Sequence, residues 1–217
     1  FTRRPRRRRP ETERRFDALA RNTASVRGVS KSVAKLSAGQ GMPAFTAQIY
    51  GGSILDSASL RGTAVFLSFH RYVACPVCTK NLAPFRVRHR EIAQLGVRML
   101  AVFHSPTEKL ARYFDADELP FEVISDPAMV LYVLFGLQAR LSTFRTPGSL
   151  QGLAETIGGP VPINPFKRDG ALGTIPADFL FDAEGTLVAR HYGAHIDDSW
   201  TVDEVLQRVD SMRRAAG

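Results

Sequence analysis

The sequence predicts an α/β protein with a mixed central sheet, parallel in its middle and antiparallel after Pro176. Two continuous apolar segments, 63–69 and 97–103, are typical of buried parallel strands. Segments whose apolar residues have helical spacing follow each of them. Near the C-terminus, a turn signal at 182–185 joins two strand-like segments into an antiparallel hairpin. Together these patterns indicate one sheet flanked by helices.

The remaining elements follow from local patterns. Gly51-Gly52 between two strand-like segments favours a hairpin turn. The segments Ser105 to Glu108 and Thr201 to Glu204 each match a capping box, in which Ser or Thr and a later Glu bind free N–H groups. Asp126 is predicted to cap a further helix that Gly136 ends. The predicted strands are 45–50, 53–55, 63–69, 97–103, 121–125, 177–181 and 186–192, and the predicted helices are 78–94, 106–114, 128–135 and 202–214.

Length and charge limit the classes of function. A chain of 217 residues suits one well-packed domain, and no apolar run reaches the roughly 20 residues of a membrane span. The formal charge is +8, but residues 1–15 contain eight arginines and two glutamates, so the other 202 residues carry only +2. Nucleic-acid binding is therefore not expected of the folded body, although an Arg-rich N-terminus could bind a polyanion.

Composition also divides the chain. Residues 1–38 are predicted to be an Arg-rich leader, in which 13–36 has the apolar spacing of a peripheral helix. Such a helix could form a dimer contact, so a homodimer is a candidate assembly. Residues 39–217 are predicted to form the domain. Within it, the Gly- and Pro-rich segment 138–173 is predicted to be an insertion or a loop that covers the active site.

The two cysteines, Cys75 and Cys78, have C-x-x-C spacing at a junction between a strand and a helix. A helix N-terminus can lower a cysteine pKa from about 8.5 to roughly 3.5–7.5, and the thiolate is the reactive form. A structural zinc site would need two further ligands, and an inert core pair would be an accident of spacing. The pattern therefore favours a redox-active dithiol, without a metal or a cofactor. So few cysteines exclude a disulfide-stapled secreted scaffold.

Several motifs give the sequence a family resemblance. Over about residues 39–214 the chain resembles thioredoxin-fold peroxiredoxins, in the C-x-x-C branch of the alkyl hydroperoxide reductase C/thiol-specific antioxidant superfamily. The motifs are Gly41-Met42-Pro43-Ala44-Phe45, Leu60-Arg61-Gly62, the C-x-x-C, Ser125-Asp126-Pro127, Phe135-Gly136-Leu137, Ile175-Pro176 and Phe179-Leu180-Phe181-Asp182. The resemblance implies a thioredoxin-like three-layer fold with an N-terminal β-hairpin extension.

The same resemblance proposes residues around the dithiol. It implies that Pro176 follows a cis peptide bond and faces the dithiol, and that Ile175 offers backbone hydrogen bonds to a substrate. Tyr72 lies three residues before Cys75, where typical peroxiredoxins have a threonine. Typical peroxiredoxins also have a later arginine that binds the peroxide, and its position falls near Pro176 in this chain. The peroxide-binding arginine is therefore unassigned here. Arg71 could stabilise the thiolate, or it could be a solvated loop charge.

The resemblance implies a cytoplasmic thiol-dependent antioxidant reductase. Cys75 would attack a peroxide, and Cys78 would then condense with the sulfenic acid to form a disulfide. The two roles could be exchanged, because related proteins can place the peroxide-reactive cysteine second. A thioredoxin- or glutathione-type thiol would restore the dithiol. The alternatives are a thiol–disulfide oxidoreductase that acts on protein disulfides, and a non-enzymatic binding module that uses the Arg-rich N-terminus.

The histidines are weaker candidates. His70 and His104 follow neighbouring predicted strands, and each could shuttle protons or, more simply, pack at a strand end. His89 is expected at the edge of the core. His191 and His195 flank a glycine, but two ligands do not make a metal site.

Overall fold

The fold is taken from a computed structural model, in which residues 34–137 and 174–216 are described. Most of the predicted leader helix and the whole predicted insertion at 138–173 lie outside these described residues. The last three residues of that helix, 34–36, are described and are not helical. The proposed domain boundary after residue 38 stays a prediction.

The described residues form seven strands and four α-helices. The strands are β1 (Thr46–Ile49), β2 (Ile54–Asp56), β3 (Ala64–Phe69), β4 (Val97–Phe103), β5 (Glu122–Ser125), β6 (Ala177–Phe181) and β7 (Leu187–Tyr192). The helices are α1 (Pro76–Gln94), α2 (Thr107–Leu110), α3 (Val130–Leu134) and α4 (Val202–Ala216). Two short 3-10 helices, Ser57–Leu60 and Ala116–Glu118, complete the set.

All seven strands belong to one sheet, in the order β2-β1-β5-β4-β3-β6-β7. β3 pairs in parallel with β4, and β4 pairs in parallel with β5. β6 and β7 are antiparallel to their neighbours. These pairings confirm the predicted mixed sheet. The N-terminal hairpin of β1 and β2 is also confirmed, and it extends the sheet because β1 pairs antiparallel with β5.

Two apolar cores lie on opposite faces of the sheet, because successive side chains of a strand point to opposite sides. On one face, Phe66 and Phe103 share a core with buried residues of α1 and α4. On the other face, Phe69 and Val102 share a core with residues of α3 and with Phe45. The molecule therefore has the three layers that the resemblance implied, and the dithiol belongs to the α1 side.

The starts of α1 and α2 differ from the predictions. α1 begins at Pro76, two residues earlier than predicted, because proline lacks the N–H group that the first helical turn leaves unpaired. α2 has only four residues, and among the described residues it has no capping hydrogen bond from a side chain. The capping box predicted at Ser105 is therefore wrong. The Ser105 hydroxyl instead accepts a hydrogen bond from Val73 N at 2.9 Å.

α4 begins with the predicted capping box. Thr201 N donates to the Glu204 carboxylate at 2.8 Å, and Glu204 N donates to Thr201 Oγ1 at 3.3 Å. Asp126 accepts hydrogen bonds from Val130 N and Leu131 N, the first N–H groups of α3, at 2.9 and 2.8 Å, although the residue at the N-cap is Met129 and not Asp126. α3 starts two residues late because Met129 adopts a left-handed conformation, with φ of 56°.

Gly136 follows α3 with φ of +71°, a conformation that favours glycine. The backbone of residues 34 and 35 approaches it so closely that an added Cβ would lie 2.9 Å from Ala34 O. Within the described ranges, no helix is long and apolar enough to cross a membrane.

Candidate functional site

The dithiol lies at the carboxyl ends of β3 and β4, where the loop 70–75 leads from the sheet into α1. Cys75 is the residue just before the first turn of α1, and Cys78 lies within that turn. Both are free thiols with exposed fractions of only 1% and 4%. The backbone of the loop turns tightly, with Cys75 N donating to Tyr72 O at 3.0 Å. Parallel strands place reactive groups at this edge of a sheet.

Arg71 contacts both sulfur atoms. Its guanidinium donates to Cys75 Sγ at 3.6 Å, and its backbone N–H donates to Cys78 Sγ at 3.4 Å. The side chain is only 3% exposed, so Arg71 is not a solvated loop charge. A buried positive charge at this distance favours the thiolate form of a cysteine.

The two thiols differ in acidity. The pKa of Cys75 is lowered to about 6 by a hydrogen bond from Cys78 and by the positive charge of Arg71, whereas burial alone would raise it. The pKa of Cys78 is raised, first by burial and then by its interaction with Cys75. Both shifts favour a Cys75 thiolate that accepts a hydrogen bond from the Cys78 thiol.

Tyr72 and the two strand-end histidines line the same edge of the sheet. The Arg71 guanidinium lies 5.2 Å from the centre of the Tyr72 ring, close enough for a cation–π contact. His70 stacks on Phe103 with ring centres 4.9 Å apart, and burial lowers its pKa to about 4. His70 is thus neutral at pH 7. His104 packs edge-on against Tyr132 at 5.6 Å.

Two residues of this site were not identified from the sequence. The hydroxyl of Tyr132, in α3, donates to the carbonyl oxygen of His70 and, at 3.1 Å, to that of Val102. Ser105 holds the same loop through Val73 N. Ser105 has the pattern of a helix cap, and Tyr132 lies in an apolar helix that indicates core packing. Neither pattern shows which backbone group the hydroxyl binds.

Pro176 lies beside the loop, because the next residue, Ala177, pairs with Phe69 at the end of β3. The expected cis bond is absent: no peptide bond of the described residues is cis. A trans X-Pro bond is intrinsically favoured by about 0.5–1 kcal/mol, and β6 pairs regularly from the next residue onward. The carbonyl of Pro176 accepts from Gly193 N at 3.0 Å. Substrate binding by the Ile175 backbone stays a prediction.

The other histidines make contacts of their own. His89 is half-buried against Phe121, with ring centres 6.0 Å apart. His191 Nε2 lies 2.8 Å from a carboxylate oxygen of Asp198. In residues 34–137 and 174–216 there is no group of three or more His, Cys, Asp or Glu side chains that could hold a metal ion.

Comparisons with known proteins agree with this fold. A model of the AhpC/TSA family matches residues 38–190. A Mycobacterium tuberculosis protein named as a peroxiredoxin is 26% identical over 158 residues, which are 73% of this chain and 86% of that protein.

Two solved structures show the same architecture at low sequence identity. A mutant of peroxiredoxin 6 from Arenicola marina superposes with a TM-score of 0.62 at 18% identity, over 83% of this chain and 75% of that one. A yeast mitochondrial 1-Cys peroxiredoxin, described with glutathione and thioredoxin systems, superposes with a TM-score of 0.61 at 18% identity, over 83% and 78%. These similarities show a peroxiredoxin-type thioredoxin fold.

Proposed function

Because the chain belongs to the AhpC/TSA family, we propose that it is a thiol-dependent peroxidase that reacts through Cys75 and Cys78. The observation that carries the proposal is the buried pair itself. A Cys75 sulfur with a lowered pKa lies beside both a guanidinium and a second thiol. These contacts support Cys75 as the attacking thiol and Cys78 as the thiol that traps its oxidised product.

In the first step, the Cys75 thiolate attacks one oxygen of a hydroperoxide. An S–O bond forms and the O–O bond breaks, giving Cys75 sulfenic acid and an alkoxide or hydroxide that takes up a proton. The sulfur is oxidised and the peroxide is reduced by two electrons. Arg71 supports this step because its positive charge favours the thiolate that starts it.

In the second step, the Cys78 sulfur attacks the sulfenic sulfur of Cys75. An S–S bond forms, and the hydroxyl group leaves as water with the thiol proton of Cys78. Two electrons from external thiols must then reduce the disulfide, by thiolate attack through a mixed disulfide. A glutathione- or thioredoxin-type reductant fits this step. A homodimer and a cytoplasmic location remain predictions.

Burial favours peroxides over protein disulfides as the substrate. Thiol–disulfide exchange requires the attacking sulfur to reach bonding distance of a substrate sulfur that is carried on a polypeptide. With exposed fractions of 1% and 4%, neither cysteine presents its sulfur to a macromolecule in this conformation. A small hydroperoxide needs far less space, so we place protein-disulfide reduction second.

The proposal is tested by Cys75→Ser and Cys78→Ser variants in a peroxide-consumption assay. Cys75→Ser is expected to fall to the uncatalysed background, because it lacks the nucleophile. Cys78→Ser is expected to react once and accumulate sulfenic acid on Cys75, which dimedone labelling and mass spectrometry detect. Sulfenic acid on Cys78 of the Cys75→Ser variant would show that Cys78 attacks the peroxide and that Cys75 forms the disulfide with it. Wild-type rates in both variants would refute the proposal.

The pH dependence provides a second test. Because the pKa of Cys75 is about 6, its iodoacetamide alkylation should rise with pH and reach half its plateau near pH 6. Below that pH the sulfur is protonated and reacts slowly. An unperturbed thiol would instead reach its midpoint near about pH 8.5. A midpoint near that value would show that the thiol is not activated.

A further inference from the structure

We propose that Tyr132 is a positioning residue for the reactive thiols. Its hydroxyl binds the peptide unit between His70 and Arg71, and the N–H group of that unit donates to Cys78 Sγ. The inference deepens the proposed function and rests on it for its biological meaning. It concerns a residue of α3, which packs on the face of the sheet opposite to α1.

The Tyr132 hydroxyl joins the ends of two strands. Its single proton is shared between the carbonyl of His70, just after β3, and the carbonyl of Val102 in β4, the latter at 3.1 Å. His70 N also donates to Val102 O at 2.8 Å. The start of the dithiol loop is thus attached to β4 by its own backbone and to α3 by this side chain.

One peptide unit links Tyr132 to the sulfur atoms. The carbonyl of His70 and the N–H of Arg71 belong to the same planar, trans peptide group, so they point in opposite directions. Tyr132 binds the carbonyl end, and Cys78 Sγ accepts from the N–H end at 3.4 Å. Holding the carbonyl therefore orients the N–H toward the sulfur. A hydrogen bond to the carbonyl also strengthens the N–H as a donor.

Tyr132 can serve as a donor across the working pH range. Burial raises its pKa above the ordinary value, and the negative charge of Asp126 raises it further. The phenol therefore keeps its proton. The ring also packs against Phe69 at 5.1 Å and His104 at 5.6 Å, and those contacts do not need the hydroxyl. Removing the hydroxyl oxygen of Tyr132 therefore tests its hydrogen bonds while the packing of its ring is kept.

The direct test is Tyr132→Phe in the full chain, with the alkylation rates of Cys75 and Cys78 followed against pH. Without the hydroxyl, the Arg71 peptide and side chain are held less firmly beside the sulfurs. We expect the midpoint of Cys75 alkylation to rise by about one pH unit, which corresponds to a roughly tenfold lower rate below pH 6. An unchanged midpoint would overturn the inference.

The matched control is Tyr50→Phe. Its hydroxyl also donates to a backbone carbonyl, that of Phe114 at 2.8 Å, and it contacts the α1-side core. Both variants should lose similar stability in denaturant, but only Tyr132→Phe should move the alkylation midpoint. Equal shifts in both variants would mean a general loosening of the fold and would overturn the positioning role.

A second variant covers the case in which Tyr132→Phe does not fold. Incorporation of 3-fluorotyrosine at position 132 keeps the hydroxyl and makes it a stronger donor, so the midpoint of Cys75 alkylation should fall. An unchanged or raised midpoint with fluorotyrosine would overturn the inference. Alkylation needs no peroxide, so a shifted midpoint in a protein that consumes no peroxide would support Tyr132 and refute the proposed function.

Discussion

The end of β4 and the start of α4 both contain a hydroxyl residue followed three positions later by glutamate, yet the two hydroxyls do different things. Thr201, on the surface, exchanges hydrogen bonds with Glu204 and begins a helix of 15 residues. Ser105 is fully buried and accepts from Val73 N in the dithiol loop. The helix after it, α2, has only four residues.

The difference shows how the surroundings decide what a local pattern does. At Thr201 the nearest free donors are the N–H groups of its own helix, as the pattern requires. At Ser105 a loop from elsewhere in the chain brings a buried N–H group within 2.9 Å. A buried donor without a partner is costly, so the hydroxyl binds the loop and leaves the helix start uncapped. The Ser105 hydroxyl thereby stabilises the dithiol loop, and α2 is left without a side-chain cap.

The largest effect in this comparison is expected from Ser105→Ala. The substitution leaves Val73 N without its acceptor in the protein interior, which should cost about 1–3 kcal/mol in the free energy of unfolding. It should also slow Cys75 alkylation at pH 6, because the loop loses one attachment. Denaturant unfolding and alkylation kinetics measure the two effects. A variant as stable as the wild type would contradict a role for this hydrogen bond.

A smaller effect is expected from Thr201→Ala, which removes an ordinary helix cap. Such substitutions typically cost about 1 kcal/mol. The alkylation midpoint of Cys75 should stay near its wild-type value, because Thr201 exchanges its hydrogen bonds with Glu204 and not with the dithiol loop. Circular dichroism during urea unfolding gives the stability. If Thr201→Ala altered the cysteine reactivity as much as Ser105→Ala does, the contrast between the two regions would fail.

The smallest effects are expected from the two glutamates. Glu204→Ala removes the carboxylate that accepts from Thr201 N and should cost about 0.5 kcal/mol. Glu108→Ala removes an exposed side chain from a helix without a capping box and should change the stability by less than about 0.5 kcal/mol in either direction. Parallel urea titrations of both variants measure the difference. A larger loss for Glu108→Ala would show that the box at Ser105 forms in solution.

Local sequence patterns predict much of this fold because the central strands β3, β4 and β6 each have a marked apolar run. β4 has the predicted bounds, and β3 differs by one residue. The pairing of β1 with β5 was not predicted, because nothing in either segment specifies a partner so far along the chain. The bounds of α3 differ because Met129 adopts a conformation uncommon for non-glycine residues.

The site was predicted in part. The C-x-x-C spacing and its position before a helix predict the reactive pair, and the structure brings Arg71 to these cysteines. Tyr132 was not predicted as a site residue, because its hydroxyl binds the backbone carbonyl of His70, which is 62 residues away in the sequence. The cis bond expected before Pro176 came from a family likeness, and the chain has a trans bond there.

The edges of the sheet have a consequence for how two copies of this protein could meet. Among the described residues, one outer strand, β2, has only three residues, which offers little backbone for another chain to pair with. At the other edge, residues 39–42 bind the backbone of 185–187, which covers only Leu187 at the start of β7. Short or covered edges discourage strand addition and aggregation. We therefore expect strand addition to be disfavoured at β2, and at the β7 edge only where residues 39–42 cover it.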